Sequence, residues 1–397
     1  MFKRLLSIIM IITIIPFALF GCNETEEIYD PSVINDSSIS IGVLIPDKDP
    51  SADHFLAGID YASKLADSVY INDESVSFHV NTCYYTPENI VQQAQSLVSE
   101  RISAIVFCGD NLESFNDFAD YIKGTDIPVI SLSPYRCDYK RFYSLTLSAE
   151  YKSSCSATYA LDKGYNNCAV LCESDDEYYQ NFAEVFNNTF KSYTGTTPEI
   201  YYKNGELKNF TDSALISGGY DYLILLCPSD TRTDTVNYLR SIGFIGEILF
   251  DETFDHTESD FSELNNCAFI TKFENDPTNN ISTVFLSEYK NTQTNPVTSA
   301  TAYGYDAYMT IFEAFKSFST DSSSSIFKTE TVATTAAYSD TEITLSEFIK
   351  ALENVVYHGV TDTIKFKDNS AVPTYIYVDN IVNSEIILCK KYTFTDK

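Results

Sequence analysis

Tryptophan is absent from this chain of 397 residues, methionine occurs three times and histidine four times. The histidines, His54, His79, His256 and His358, stand beside neither a cysteine pair nor a local nucleophile. Neither a zinc site nor a histidine-activated nucleophile can be read from them. The strings GxSxG, HExxH, GxGxxG and the P-loop do not occur, and neither does CxxC. The adjacent acids Asp251 and Glu252 would point to opposite faces of an extended chain, so they make no acid–base dyad by themselves. The chain therefore reads as a non-enzyme for which no cofactor and no metal is expected. Basic residues are scarce as well: 26 against 56 acidic ones, a formal net charge of −30. Phosphate backbones and anionic lipid need neutralising cations, which argues against nucleic acid as a partner and against adsorption on an anionic surface.

Charge is missing altogether between Leu5 and Gly21, after a short basic head at Lys3 and Arg4. A basic head, an apolar run and a small residue before the cut are the parts of a secretory signal, here residues 1–21. Leu19-Phe20-Gly21-Cys22 resembles the bacterial lipobox, in which the cysteine is lipidated and becomes the new N-terminus. The alternative of an uncleaved spanning helix is weakened by Pro16 and by the shortness of the run. A lipid on Cys22 would hold the protein at the outer face of the bacterial cytoplasmic membrane. Residues 22–38, polar and acidic, read as a tether.

Ten cysteines are present; setting Cys22 aside leaves nine, so at least one is unpaired or bridged between chains. Cys168 and Cys172 lie in one expected strand, roughly 13 Å apart by strand rise, too far to bridge. Most of the others abut apolar runs and read as small buried hydrophobes.

Short apolar runs alternate with helical periods along most of the chain. ISIGVLI (39–45), VSFHVNTCY, ISAIVFC (102–108) and IPVISLS (127–133) read as strands, separated by helical patterns near 52–66, 90–98 and 115–122. The pattern restarts with a helix at 150–163, then CAVLC, PEIYY, DYLILLC and EILF as strands between further helices. Repeated strand–helix units predict parallel sheets with helices on both faces. Two such runs predict an α/β protein of two doubly wound lobes. Helices fit 278–291, 297–318 and 344–355, with a Ser/Thr-rich loop before the last of these, and strands fit 360–367, 374–379 and 385–392.

The order of phrases resembles the periplasmic-binding-protein type I family, especially its leucine/isoleucine/valine-binding branch. IGVLIPDKDPSADHFLAGIDYASKLA is similar to the first strand, loop and helix of that family. TPENIVQQAQSLVSERISAIVF is similar to its second helix and third strand, and IPVISLSP to the strand that delivers a serine-rich ligand loop. ALDKGYNNCAVLCESDDEYYQNFAEVFNNTF resembles the start of its second lobe, and VNYLRSIGFIGEILFDE and GVTDTIKFKDN match later landmarks. The resemblance spans about 39–390. It implies two lobes joined by three crossovers, with 39–146 and 274–338 in the first and 147–273 and 339–397 in the second. It further implies a small-molecule ligand and, as partner, an ABC permease in the membrane. Some relatives tie the regions of Cys83 and Cys108 by a disulfide. The expected strand order 2-1-3 puts the first strand between these two, so only loops beyond the sheet edge could meet.

Open parallel sheets bind ligands beyond the carboxyl ends of their strands. That collects Pro46–Asp53, Gly109–Ser114, Ser131–Tyr135, Glu173–Tyr179, Pro228–Thr231 and Asp251-Glu252 around one cleft. A ligand carboxylate wants N–H groups and hydroxyls, which Gly109, Asp110, Asn111, Ser131 and Ser133 would offer. An ammonium wants a carboxylate. Glu252 falls on the acidic contact of the resembled family, with Asp251 as its immediate competitor. Tyr178 or Tyr179 resembles the aromatic that covers the ligand. Tyr135 stands where that family has a small hydroxyl residue, and Ser229 follows the proline that replaces another aromatic wall. Asp110 and Tyr135 thus depart from a plain amino-acid site. The expected ligand is an amino acid or a related amide or short acid. The alternative is a lipoprotein sensor that passes closure to a signalling partner.

Overall fold

The computed structural model describes residues 32–34, 37–49, 51–174, 177–204, 211–228, 231–251, 261–319 and 342–394. Cys22, Ser229, Glu252 and most of the Ser/Thr-rich stretch lie outside the described residues.

The chain opens with β1 (Ser38–Pro46), whose residues from Ile41 to Ile45 are all buried, as a strand covered by helices on both faces requires. Next come α1 (Ala52–Leu65), β2 (Ser68–Ile71), β3 (Glu74–Tyr85), α2 (Ile90–Ser99), β4 (Ala104–Phe107), α3 (Leu112–Ile122), β5 (Val129–Ser131) and β6 (Phe142–Ser144). The second run is α4 (Ala149–Lys163), β7 (Cys168–Ser174), α5 (Glu177–Thr194), β8 (Glu199–Asn204), α6 (Asp212–Gly218), β9 (Tyr222–Leu226), α7 (Arg232–Ser241), β10 (Glu247–Phe250) and β11 (Cys267–Thr271). The last third holds α8 (Asn280–Thr292), α9 (Ser299–Lys316), α10 (Leu345–Glu353), four two-residue strands β12 (Tyr357–His358), β13 (Thr363–Ile364), β14 (Phe366–Lys367) and β15 (Ser370–Ala371), then β16 (Tyr375–Val382) and β17 (Glu385–Thr393).

These strands form two main sheets, ordered β14-β15-β6-β5-β4-β1-β3-β2 and β17-β16-β11-β10-β9-β7-β8. Within the first, β3, β1, β4, β5 and β6 are parallel; within the second, β8, β7, β9, β10 and β11 are. Both lobes are therefore doubly wound, as the alternating pattern predicts. The chain passes between the sheets three times: after β6, after β11 and after β15.

The first lobe is tightened where two helices touch backbone to backbone. A Cβ at Gly58 of α1 would stand 2.0 Å from the Thr301 carbonyl of α9, and one at Gly304 of α9 would stand 2.1 Å from the Phe55 carbonyl. Only hydrogen fits at either place.

Two expected boundaries move. Residues assigned to the second lobe from 339 onward divide: Phe348, Leu352, Tyr357 and Ile364 are buried in the first lobe's core, and β15 pairs with β6. Only β16 and β17 join the second sheet. The end of the expected tether is also structured. Val33 is buried in the first core, its N–H donates to Ile343 O (2.9 Å), and Ser103 Oγ donates to Val33 O (2.6 Å). A buried apolar side chain whose backbone N–H and C=O both find partners in the lobe stays with the lobe.

The bond suggested for Cys83 and Cys108 is absent; both thiols are free. Leu44 of β1 pairs with Cys83, and its carbonyl accepts the Cys108 N–H, so β1 stands between them. Burial pushes the Cys108 thiol far up from its ordinary range.

Candidate functional site

In each sheet the chain first winds to one side and then to the other. The strand order reverses between β1 and β4 in the first lobe and between β7 and β9 in the second. The carboxyl ends of these strands face the place where a crevice ligand would sit.

On the first lobe, Gly109 follows β4 with φ +145°, and a Cβ there would lie 2.1 Å from the Tyr85 hydroxyl. That hydroxyl donates to Cys108 O (2.9 Å) and fixes the turn. Asp110 and Asn111 are exposed. Asn111 Oδ1 accepts from Ser114 N (2.9 Å), so it caps α3. Ser131 and Ser133 are fully buried and hold their own loop: Ser131 Oγ accepts from Ser133 N (3.1 Å) and Ser133 Oγ from Tyr135 N (3.3 Å). Arg136, which sequence reasoning passed over, gathers that loop. It donates to the carbonyls of Ser133, Pro134 and Tyr135 (3.1, 3.0 and 3.1 Å) and to Thr146 O (2.7 Å).

On the second lobe, Tyr178 and Tyr179 separate by role. Tyr179, on α5, packs in the core, whereas Tyr178 is half-buried and meets Tyr135 of the first lobe edge-on, centroids 5.7 Å apart at 74°. With Phe115 against Tyr135 (5.5 Å) and Tyr179 against Tyr178 (5.6 Å), four rings run in file across the interlobe boundary.

Behind Tyr178 stands Lys152, 1% exposed. Its Nζ lies 2.9 Å from Asp251 Oδ1 and donates to the Tyr178 hydroxyl (2.8 Å), which in turn donates to Asp251 Oδ2. Lys152 lies on the first turn of α4, Asp251 just after β10 and Tyr178 on the first turn of α5, so three elements converge. The sequence carried one signal for Lys152. It shares a helical face with Cys155, Ser156 and Tyr159, all buried, and a lysine on a buried face needs a counter-charge. Among the described residues no group of three or more metal-ligating side chains gathers. Tyr135, Tyr178 and Asp251 thus come together with Lys152. Gly109, Asp110 and Asn111 lie at the first lobe's rim, while Ser229 and Glu252 fall outside the described residues.

Residues 65–379 match the family described as receptor family ligand binding region. A comparison with curated proteins gives no match. Solved structures align over most of their length. A leucine-binding protein from Thermotoga maritima superposes with a TM-score of 0.70 at 14% identity, covering 89% of this chain and 99% of that one. A branched-chain amino acid transporter substrate-binding protein from Streptococcus pneumoniae, complexed with isoleucine, gives 0.66 at 16% identity, covering 90% and 99%. An ABC transporter solute-binding protein from R. palustris, complexed with benzoate, gives 0.67 at 11% identity, covering 91% and 98%.

Proposed function

The chain belongs to the receptor family of ligand-binding regions, and from that premise we propose that it is a lipid-anchored, extracytoplasmic solute-binding protein of an ABC importer. It takes a small polar ligand, an amino acid or a related amide or short acid, between its lobes. The observation that carries this reading is the meeting of Tyr135 and Tyr178 across the boundary, backed by the Lys152–Asp251 pair. Aromatic rings from opposite lobes meet, with a charged pair of the second lobe behind them, where strand ends converge, which is where a captured solute would be enclosed. The ligands named for the relatives, branched-chain amino acids and benzoate, share a carboxylate. That group fits a site bordered by Gly109, the 131–136 loop and Lys152. An amine, if the ligand has one, would be met by Glu252 or by its immediate competitor Asp251.

Lys3, Arg4, the uncharged run and Leu19-Phe20-Gly21-Cys22 support attachment through Cys22. A lipid there would hold the body close to a membrane permease; among the described residues, Ser32–Ile34 are the first to contact the first lobe.

The test is a thermal-shift screen of the purified protein against amino acids, amides and short acids, because a ligand of the folded state must raise stability. At least one should raise Tm. A flat response across the panel rejects the binding reading. For the anchor, mass spectrometry should find lipid on an N-terminal Cys22, lost in Cys22→Ala; an intact Met1 in the mature protein rejects it.

A further inference from the structure

The second lobe's wall contains its own ammonium. Lys152 is 1% exposed and Asp251 14% exposed, and the tyrosine that bonds to both presents its ring to the opposite lobe. A buried lysine must be paired, and Asp251 supplies the charge. One oxygen of Asp251 faces the lysine Nζ at 2.9 Å and the other accepts from the Tyr178 hydroxyl. A ligand amine brought to this carboxylate would be placed within a few ångströms of Lys152, like charge against like charge in a water-poor cleft. A carboxylate in the same place would be drawn to Lys152. Tyr135 and Tyr178, half-buried and backed by the buried rings of Phe115 and Tyr179, offer aromatic surface at the boundary against which a planar apolar group would pack.

We propose that Lys152 is the specificity-determining residue of the cleft: it takes the place of a ligand amine at Asp251 and sets the site for carboxylic acids that carry no amine, aromatic acids in particular. This rests on the solute-binding reading above and narrows its ligand class. Lys152 acts through charge, and Asp251 and Tyr178 hold it in position.

The experiment is calorimetry on the wild-type protein, Lys152→Met and Asp251→Asn, each with benzoate and with leucine, after circular dichroism has confirmed folding. Wild type should bind benzoate at least tenfold more tightly than leucine. Lys152→Met exposes the Asp251 charge to the ligand, so the benzoate-to-leucine preference should fall by tenfold or more. Asp251→Asn leaves Lys152 without that counter-charge, and the preference should rise. Leucine binding to wild type as tightly as benzoate overturns the proposal, and so does an unchanged preference in either folded variant. If Lys152→Met does not fold, wild type and Asp251→Asn decide. If another member of the metabolite panel binds in place of both probes, an amine on that ligand overturns the proposal while the solute-binding reading stands; an amine-free acid whose affinity drops in Lys152→Met supports it. If nothing on the panel binds wild type, the solute-binding reading itself fails, and this proposal with it.

Discussion

Lys152–Asp251 at the cleft and Lys272–Asp362 at the crossovers are both buried ion pairs, and they are held in different ways. At the crossovers, Lys272 and Asp362 are 4% and 6% exposed and in direct contact. The lysine also donates to Tyr375 O (2.7 Å), and the aspartate accepts from Thr363 N and Thr374 N (2.7 Å each). This pair is clamped by backbone atoms of the second and third crossovers. At the cleft, the side chain that bonds to both members of the pair is Tyr178, half-buried at the boundary between the lobes. Backbone partners fix a geometry that must not change, whereas a side-chain partner that touches the other lobe leaves the pair sensitive to what enters between them.

The comparison breaks most visibly at the crossovers. Lys272→Met leaves Asp362 buried without its cation and should cost about 3–5 kcal/mol of stability, read by urea unfolding. A loss below about 1 kcal/mol would show the backbone donors alone to suffice.

A slightly smaller effect is expected nearby. Asp306 of α9 is fully buried; burial pushes its carboxyl up to about 6, against the donors Thr361 and Val360. The folded state therefore holds this proton more tightly than the unfolded chain, whose carboxyl titrates near its ordinary value. The contribution to stability is complete below about pH 4 and is lost as pH rises through about 6. At about 1.36 kcal/mol per pH unit it amounts to roughly 3 kcal/mol. Urea unfolding at pH 4.5 and pH 7 should show about 2 kcal/mol of this fall in wild type, and Asp306→Asn should remove it. An equal pH dependence in the two proteins would reject the assignment.

The smallest change sharpens the cleft side. Tyr178→Phe keeps the ring against Tyr135 and removes the hydroxyl between Lys152 and Asp251. The expected cost is about 1–2 kcal/mol, well below that of Lys272→Met. Equal costs in the two variants would mean that the cleft pair is as rigidly built in as the other.

The two-lobe architecture was legible because each lobe repeats the same strand–helix alternation, and periodicity survives without knowledge of contacts. Three hairpins were legible only in part. Asn72-Asp73, Asp368-Asn369 and Asn383-Ser384 all have positive φ and close two-residue turns, the type asparagine and aspartate favour. The first announces β2, which apolar pattern alone had missed. The brief strands β6 and β11 were missed as well, the first for its shortness and the second because CAFIT follows a polar stretch. Which lobe α10 joins is not written in its own pattern, because an amphipathic face does not name its partner.

The site was less legible than the fold for a similar reason. Tyr135, Tyr178 and Asp251 were named from strand ends, but the residue that links two of them, Lys152, lies in an unremarkable helix. Its partner is far along the chain, and no local spacing announces a contact of that range. The serine hydroxyls carry the converse ambiguity: residue types suited to a ligand also suit the loop that contains them.

The third crossover sets a limit of its own. Only Val372, Pro373 and Thr374 join β15 of one sheet to β16 of the other. A stretched chain gains at most about 3.6 Å per residue, so the ends of these two strands can never be more than roughly 14 Å apart. The link after β6 is nearly as brief. The lobes are thus leashed along one side, and any gaping must be a swing about that side, widest at the opposite rim. A large solute would have to enter from that rim and leave by it.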